Sequence, residues 1–119
     1  MKINNKEKGA LGEKLAQDYL KKSGYKILDK NWHYSKFCEL DIVAQKDNEL
    51  VFVEVKYRTT SFCGSPVEAG NYYKLNNLKT AIMGYLQQTK VNFKSYRLDV
   101  IGIIGKDDFQ IEHLKNIGL

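Results

Sequence analysis

Apolar residues follow a helical period in two parts of the chain. From about Asn5 to Ser23 they recur every three or four residues, as on a helix that buries one face. Gly24 then stands where a C-terminal capping glycine belongs. The second helical stretch runs from Val67 to Gln88. The apolar positions that define the helices are Leu11, Leu15, Ala16, Tyr19 and Leu20 in the first, and Leu75, Leu78, Ile82 and Tyr85 in the second.

The remaining apolar segments are shorter and are typical of β-strands, with alternation and many β-branched or aromatic residues. Polar residues separate them, with a turn from Lys46 to Glu49 and a loop from Thr59 to Pro66. The predicted strands are Tyr25–Tyr34, Phe37–Gln45, Leu50–Tyr57, Tyr96–Ile104 and, at the edge, Phe109–Leu114. The order α-β-β-β-α-β-(β) predicts one α/β (α+β) domain over residues 1–119, with a central sheet flanked by helices.

The two central strands form a predicted hairpin whose register follows from its turn. With Asp47 and Asn48 as a two-residue turn, Lys46 pairs with Glu49 and the pairing continues back along both strands. Alternation then separates two faces. The face predicted to be core is Leu40, Ile42, Ala44, Val51, Val53 and Val55. The other face, in opposed pairs, is Asp41 with Glu54, Glu39 with Lys56, and Val43 with Phe52.

Asp41 and Glu54 are the chemically informative pair of this hairpin. Carboxylates directly opposite each other destabilise a sheet, so their arrangement requires a raised pKa or a bound cation. Carboxylate oxygens are the ligands of hard divalent cations such as Mg²⁺ and Mn²⁺. Lys56 projects beside the pair, and a metal with a fixed ammonium group is what phosphoryl chemistry uses. The alternative interpretation is a solvated face on which Glu39 and Lys56 form an ion pair.

Each predicted helix adds one charged residue at the margin of its apolar stripe. Glu13 is placed to reach over the sheet as a further metal ligand or as an acid that supports the ligands. Lys74 has the matching position on the second helix. Taken singly, each is better explained as a snorkelling side chain whose charge stays in water. Together they would bring one more acid and one more base to the same sheet.

The composition bounds the partners and the location of the protein. A net charge of +5, from 19 basic and 14 acidic residues, suits a polyanionic partner. Cys38 and Cys63 form no Cys-x-x-Cys pair, so neither a zinc site nor a disulfide framework is predicted. No apolar run is long enough to span a bilayer, and the polar start lacks the apolar core of a secretion signal. We therefore predict a cytoplasmic location and no membrane partner.

An ordered series of short motifs gives the chain a family resemblance. Over about residues 9–103, the sequence resembles the YraN-like family of small bacterial proteins, also called UPF0102. Cys38 departs from the pattern, because the family usually has glycine there. The motifs are Gly9-x-x-Gly12-Glu13, Ala16-x-x-Tyr19-Leu20-x-x-x-Gly24-Tyr25, Asn31, Glu39-Leu40-Asp41-Ile42-Val43, Phe52-Val53-Glu54-Val55-Lys56-Tyr57-Arg58, Gly64-Ser65-Pro66-Val67-Glu68-Ala69, Lys74 and Arg97-Leu98-Asp99-Val100.

That family is similar to the restriction-endonuclease-like, or PD-(D/E)XK, superfamily, and especially to archaeal Holliday-junction resolvases. The resemblance implies an αβββαβ core with a central mixed sheet, in which Asp41, Glu54 and Lys56 form the nuclease motif. It further implies a DNA endonuclease dependent on Mg²⁺ or Mn²⁺, with branched DNA and a homodimer as open options. The implied metal ligands are Asp41, Glu54, the Val55 carbonyl and Glu13, with Glu39 in support. The candidate contacts with the DNA backbone are the basic residues Lys36, Arg58, Lys74, Lys79 and Arg97.

Two other functions fit the same residues. The first is a non-enzymatic nucleic-acid-binding adaptor that retains the nuclease fold, whose binding would be insensitive to EDTA and steeply dependent on salt. The second uses the carboxylates as the acid and base of a glycosidase. The intact Asp41…Glu54-x-Lys56 set argues against the adaptor. The neighbouring lysine and the close carboxylates argue against the glycosidase.

Overall fold

The computed structural model describes residues 5–58, 71–105 and 107–117. Its order of elements confirms the predicted α+β fold, including the edge strand near the end of the chain. The predicted loop Thr59–Pro66 and the predicted start of the second helix before Asn71 lie outside the described residues. The elements are α1 (Asn5–Lys22), β1 (Lys26–Ser35), β2 (Cys38–Lys46), β3 (Glu49–Arg58), α2 (Asn71–Gln88), β4 (Ser95–Ile104) and β5 (Gln110–Leu114).

The strands form one mixed sheet in the order β1-β2-β3-β4-β5. β3 and β4 are parallel and pair along their whole length, whereas the other neighbours are antiparallel. The chain between these parallel strands contains α2, as a parallel connection requires. The arrangement agrees with the αβββαβ core that the family resemblance implies, extended by β5.

One helix covers each face of the sheet, so the core has two halves. On the α1 face the buried residues include Ala16, Leu20, Ile42, Ala44, Val51, Val53, Ile101 and Ile103. On the α2 face they include Leu40, Val43, Leu50, Phe52, Leu78, Ala81, Ile82, Tyr85 and Leu98. β3 and β4 contribute apolar residues to both faces, as expected of strands covered by helices on either side. No described helix is long and apolar enough to cross a bilayer.

Two local features behave as predicted from the residue types. Gly24 has a φ of 91°, and the N–H of Tyr25 donates to the Leu20 carbonyl over 2.9 Å, which closes α1 in a capping turn. Asp47 and Asn48 have φ values of 53° and 65°, as a two-residue hairpin turn demands. The predicted hairpin register is confirmed from the turn as far as the pair of Ile42 with Val53.

The predicted face of Leu40 is wrong. Leu40 packs on the α2 face with Cys38 and Val43, whereas Ile42 lies on the α1 face. Leu40 and Ile42 are two residues apart and yet lie on opposite faces of the sheet, so the regular alternation of side chains along β2 is interrupted at Asp41. The cause is the end of the pairing between β2 and β3, after which β2 pairs only with β1. Asn31, which lies opposite Asp41 on β1, has a φ of 49° and marks the same irregularity.

The predicted cross-strand partners beyond Ile42 also differ from the structure. The N–H of Val55 would donate to the Leu40 carbonyl in a continued antiparallel ladder. It donates instead to Asp41 Oδ2 over 2.9 Å, so the predicted direct pairing of Asp41 with Glu54 is replaced by this contact. Glu39 pairs with His33 of β1, with Oε2 and Nε2 2.7 Å apart, rather than with Lys56.

Candidate active site

A cleft of about 530 Å³ opens where β2 separates from β3. Residues from α1, the turn between β1 and β2, both separating strands and α2 reach it. Because the cleft lies at the end of the β2–β3 ladder, it is bounded by groups from both faces of the sheet. Its lining residues are Lys8, Gly9, Gly12, Glu13, Lys36, Phe37, Glu39, Asp41, Glu54, Val55, Tyr57, Asn77 and Leu78.

The Asp41 carboxylate is held at the point of separation. It is half-buried, and Oδ2 accepts the N–H of Val55, the residue after Glu54. The side chain thus takes the place of a backbone acceptor and ties β2 to β3 where their ladder ends. A carboxylate has several lone pairs, so this hydrogen bond orients Asp41 and does not by itself exclude a second ligand.

Glu54 and Lys56 follow on β3, within the most buried part of the sheet. Glu54 is 4% exposed and Lys56 is 9% exposed, values that are rare for ionisable side chains. Both alternate with Val53 and Val55, which pack on the α1 face. Glu54 lines the cleft, and Lys56 lies two residues further along the same strand. Burial of charged groups is costly, so these two side chains are candidates for a functional role.

Glu13 reaches the cleft from α1. Gly12 beside it is buried, and an added Cβ there would lie 3.7 Å from the side chains of Val55 and Ile103, so α1 rests directly on β3 and β4. Burial is the main reason why the pKa of Glu13 is raised above its ordinary value. The negative charges of Glu39 and Glu54 raise it further, against a hydrogen bond with Asn31. Glu13 therefore interacts electrostatically with the carboxylates of Glu39 and Glu54.

The balance of charge in the cleft favours a cation. Among the described lining residues there are four carboxylates, those of Glu13, Glu39, Asp41 and Glu54, and two ammonium groups, those of Lys8 and Lys36. Within the described ranges, no three His, Cys, Asp or Glu side chains converge closely enough to hold a metal ion between them. The residues that could hold Mg²⁺ or Mn²⁺ are therefore Asp41 and Glu54, with the Val55 carbonyl and water as further ligands, because Mg²⁺ keeps several waters in protein sites. Glu13 fits as an acid beside this set.

Comparison with known proteins identifies the family of the chain. The profile of the uncharacterised protein family UPF0102 matches residues 12–103, which include Glu13, Asp41, Glu54 and Lys56. The chain belongs to the UPF0102 family. A UPF0102 protein of Syntrophomonas wolfei is 45% identical over 113 residues, covering 94% of this chain and 97% of the relative. One from Carboxydothermus hydrogenoformans is 40% identical over 116 residues, covering 97% and 98%.

The predicted DNA contacts of this UPF0102 protein are dispersed in the structure. Lys36 lines the cleft. Arg58 is exposed at the end of β3, with Nη1 donating to the Tyr57 carbonyl over 2.9 Å. Lys79 is exposed on α2, one residue after the cleft-lining Leu78, and the side chain of Lys74 lies outside the described part of the structure.

Arg97 is not brought to the cleft. It lies near the β2–β3 turn, at the other end of the sheet, in a small pocket with Tyr25 and Glu49. Its guanidinium is paired with Glu49 and with the fully buried Asp99. A guanidinium held by two carboxylates has little positive potential left for a phosphate, so we assign Arg97 to the folded framework.

Sequence reasoning missed several residues of the cleft. Lys8 and Phe37 line it, although neither stood out in the periodic pattern. Asn77 also lines it and lies 3.9 Å from the Cys38 thiol through its Oδ1. The available signal was Gly12 next to Glu13, since a glycine inside an apolar helical stripe often marks close packing. That signal identified the contact of α1 with the sheet but not the residues at the mouth of the cleft.

Replacing Glu13 with glutamine is expected to raise the melting temperature of the metal-free protein at neutral pH by a few degrees. A raised pKa means that the folded state binds this proton more tightly than the unfolded chain does. Glu13 therefore stabilises the fold in acid and loses that contribution as the pH rises through its raised pKa. The advantage of the variant should shrink as the pH falls through the range in which Glu13 takes up its proton.

Thermal unfolding in EDTA across a series of pH values measures this difference. Asp18→Asn, which removes an exposed carboxylate from the same helix, is the matched control and should show no such trend. Equal melting temperatures of the wild type and Glu13→Gln at neutral pH would contradict the predicted electrostatic cost of Glu13.

Proposed function

We propose that this UPF0102 protein is a DNA endonuclease that depends on Mg²⁺ or Mn²⁺ and hydrolyses phosphodiester bonds in the cleft between β2 and β3. One observation carries the proposal: the Asp41 carboxylate is fixed on the Val55 N–H beside the buried Glu54, in a cleft whose described lining has more acids than bases. A phosphodiester would be repelled from such a cleft unless a divalent cation compensated the carboxylates. We expect the enzyme to act in the cytoplasm, where the cell's DNA lies.

The residues of the cleft have distinct roles in this proposal. Asp41, Glu54 and the Val55 carbonyl would hold the cation, and Glu13 would orient water around it. When bound, the cation would supply a Lewis acid that offsets the charge developing on the phosphoryl oxygens. Lys56 would position the attacking water and stabilise that charge through its ammonium group. Glu39, paired with His33, would keep the rim of the cleft acidic without contacting the phosphate.

Two features support hydrolysis of a phosphodiester over hydrolysis of a glycoside. An ammonium group on the same strand as the acid stabilises developing negative charge, whereas a glycosidic transition state develops positive charge. In addition, Asp41 accepts the hydrogen bond from the Val55 N–H through a carboxylate oxygen. A metal ligand must likewise offer lone pairs and not a proton. Branched DNA is one class of substrate to test.

Cleavage of plasmid, flap and four-way-junction DNA by the purified protein tests the proposal. With Mg²⁺ or Mn²⁺ we expect nicked or shortened products from at least one of these substrates, and none in EDTA. Cleavage no faster than that of a Glu54→Ala control on all three would overturn the proposal. Binding that survives EDTA, falls steeply with salt and is never followed by cleavage would favour the nucleic-acid-binding adaptor instead.

A further inference from the structure

The turn between β1 and β2 presents an aromatic ring at the mouth of the cleft. Lys36 and Phe37 form this turn, between the paired residues Ser35 and Cys38. Phe37 is 73% exposed, more than any other large hydrophobic residue of the described chain. The Lys36 ammonium lies 5.3 Å from the centre of its ring, so a cation and an open aromatic face occupy one position.

A second pair of the same kind stands on the β3 side of the carboxylates. Tyr57 lines the cleft, and the Lys8 ammonium lies 5.7 Å from the centre of its ring. The ring is held in place, because its hydroxyl donates to the Gly105 carbonyl over 2.7 Å and the ring packs against that of Phe109 in a T-shaped arrangement. Along the chain, Asp41 of β2 and Glu54 of β3 lie between Phe37 and Tyr57, and all four residues line the cleft. Phe37 and Tyr57 are the aromatic residues, and Lys8 and Lys36 the basic residues, of the described cleft lining.

The chemistry of these two positions distinguishes paired from unpaired nucleotides. In a duplex the base faces are covered by their neighbours, so a protein surface reaches mainly phosphates and groove edges. An aromatic ring on such a surface has no base face to contact. An unpaired base offers both faces, and stacking on an aromatic side chain is favourable for every base. A lysine over the ring can meet the phosphate of the same nucleotide.

We propose that the cleft takes an unpaired DNA strand, with one base stacked on Phe37, a second on Tyr57 and the connecting phosphate directed at Asp41 and Glu54. This inference rests on the proposed function, since it names the class of strand that the cleft would cut. Lys36 and Lys8 bind the flanking phosphates. The substrate is single-stranded DNA, or the unpaired strand beside a duplex.

Phe37 is the residue through which the proposal is tested, because its exposure means that a substitution removes little packing. Phe37→Leu keeps an apolar side chain but has no aromatic face, and Phe37→Trp retains one. Tyr96→Leu is the matched control, since Tyr96 is 39% exposed and lies on β4 near the opposite end of the sheet. Thermal unfolding confirms that each variant is folded before binding is measured.

The binding experiment uses fluorescence anisotropy of labelled oligothymidylate of about twelve nucleotides, and of the same strand annealed to its complement. EDTA prevents cleavage in one series, and the Glu54→Gln background with Mg²⁺ prevents it in the other. We expect Phe37→Leu to bind the single strand about tenfold more weakly than the wild type, with duplex affinity within about twofold. Phe37→Trp and Tyr96→Leu should bind the single strand as the wild type does.

The inference is overturned if Phe37→Leu binds the single strand like Tyr96→Leu, if it loses both ligands equally, or if the wild type binds no single strand. Failure of the proposed function gives a different result, namely no metal-dependent cleavage while binding still depends on the ring at position 37. A third result would be that the wild type and Phe37→Leu cleave duplex DNA at the same rate, without preference for single strands. This would contradict the inference but not the proposed nuclease activity.

Discussion

Replacing Glu54 with glutamine is expected to lower the rate of metal-dependent DNA cleavage on the order of a hundredfold or more. The amide has nearly the same shape as the carboxylate, so the buried position on β3 stays filled. It lacks the negative charge that an oxygen ligand of Mg²⁺ or Mn²⁺ supplies. Glu54 is 4% exposed, so water has little access to take the place of the lost carboxylate ligand. The fold should be retained, since the change removes a charge from an acidic cleft.

Single-turnover cleavage at saturating enzyme measures this effect on the chemical step. Asp18→Asn changes the same charge on an exposed part of α1 and should cleave DNA at the wild-type rate. Circular dichroism and thermal unfolding show whether Glu54→Gln remains folded. A folded Glu54→Gln protein that cleaves within about threefold of the wild-type rate would exclude Glu54 from the active site.

Replacing Asp99 with asparagine is expected to lower the free energy of unfolding by about 3–5 kcal/mol. Asp99 is fully buried on β4 and accepts hydrogen bonds from three groups: His113 Nε2 at 2.7 Å, Arg97 Nε at 2.9 Å and the Asn116 N–H at 2.9 Å. An asparagine side chain would point its NH₂ group at one of these three hydrogen-bond donors. It also lacks the negative charge that compensates Arg97. The melting temperature should fall by more than about ten degrees.

The same network predicts how stability depends on pH. Burial alone would raise the pKa of Asp99, but the hydrogen bonds from His113, Arg97 and the Asn116 backbone lower it overall. A lowered pKa contributes stability above the ordinary range of aspartate and loses it as the pH falls through the folded-state value. The stability difference between the wild type and Asp99→Asn should therefore be largest near neutral pH and shrink in acid.

Urea unfolding at several pH values measures both quantities, with Asp18→Asn as the control for removing one carboxylate. A loss below about 1 kcal/mol at neutral pH would show that the network is not required for the fold. A difference that grows in acid would contradict the predicted direction of the pKa shift.

Much of the fold follows from local pattern, because each element is specified by short-range chemistry. The asparagine and aspartate of the hairpin turn accept positive φ angles, which set the register of β2 and β3. Alternation then placed Val51 and Val53 on one face and Phe52 on the other, as observed. The same reasoning failed at Leu40, because alternation assumes a continuous ladder and the Asp41 side chain interrupts it.

The candidate site was predictable in part. The part that could not be predicted depends on contacts between residues that are far apart in the sequence. Asp41, Glu54 and Glu13 could be selected because carboxylates in apolar strands and at the edge of an apolar helical stripe are costly unless they are used. Arg97 could not be separated from the DNA contacts, since its partner Glu49 is far from it in sequence and is brought near by the parallel pairing of β3 and β4. Phe37 could not be placed at the cleft, because the sequence predicted it as the first residue of a strand, whereas it lies in the turn that precedes β2.

The most direct test is the binding of Mn²⁺ to crystals of the metal-free protein, located by its anomalous scattering. We expect one strong peak between the carboxylates of Asp41 and Glu54, within bonding distance of both, and no peak there in Glu54→Gln crystals treated in the same way. An empty position between the two carboxylates at high Mn²⁺ concentration, with the cleft open to solvent in the crystal, would contradict the proposed metal-dependent nuclease.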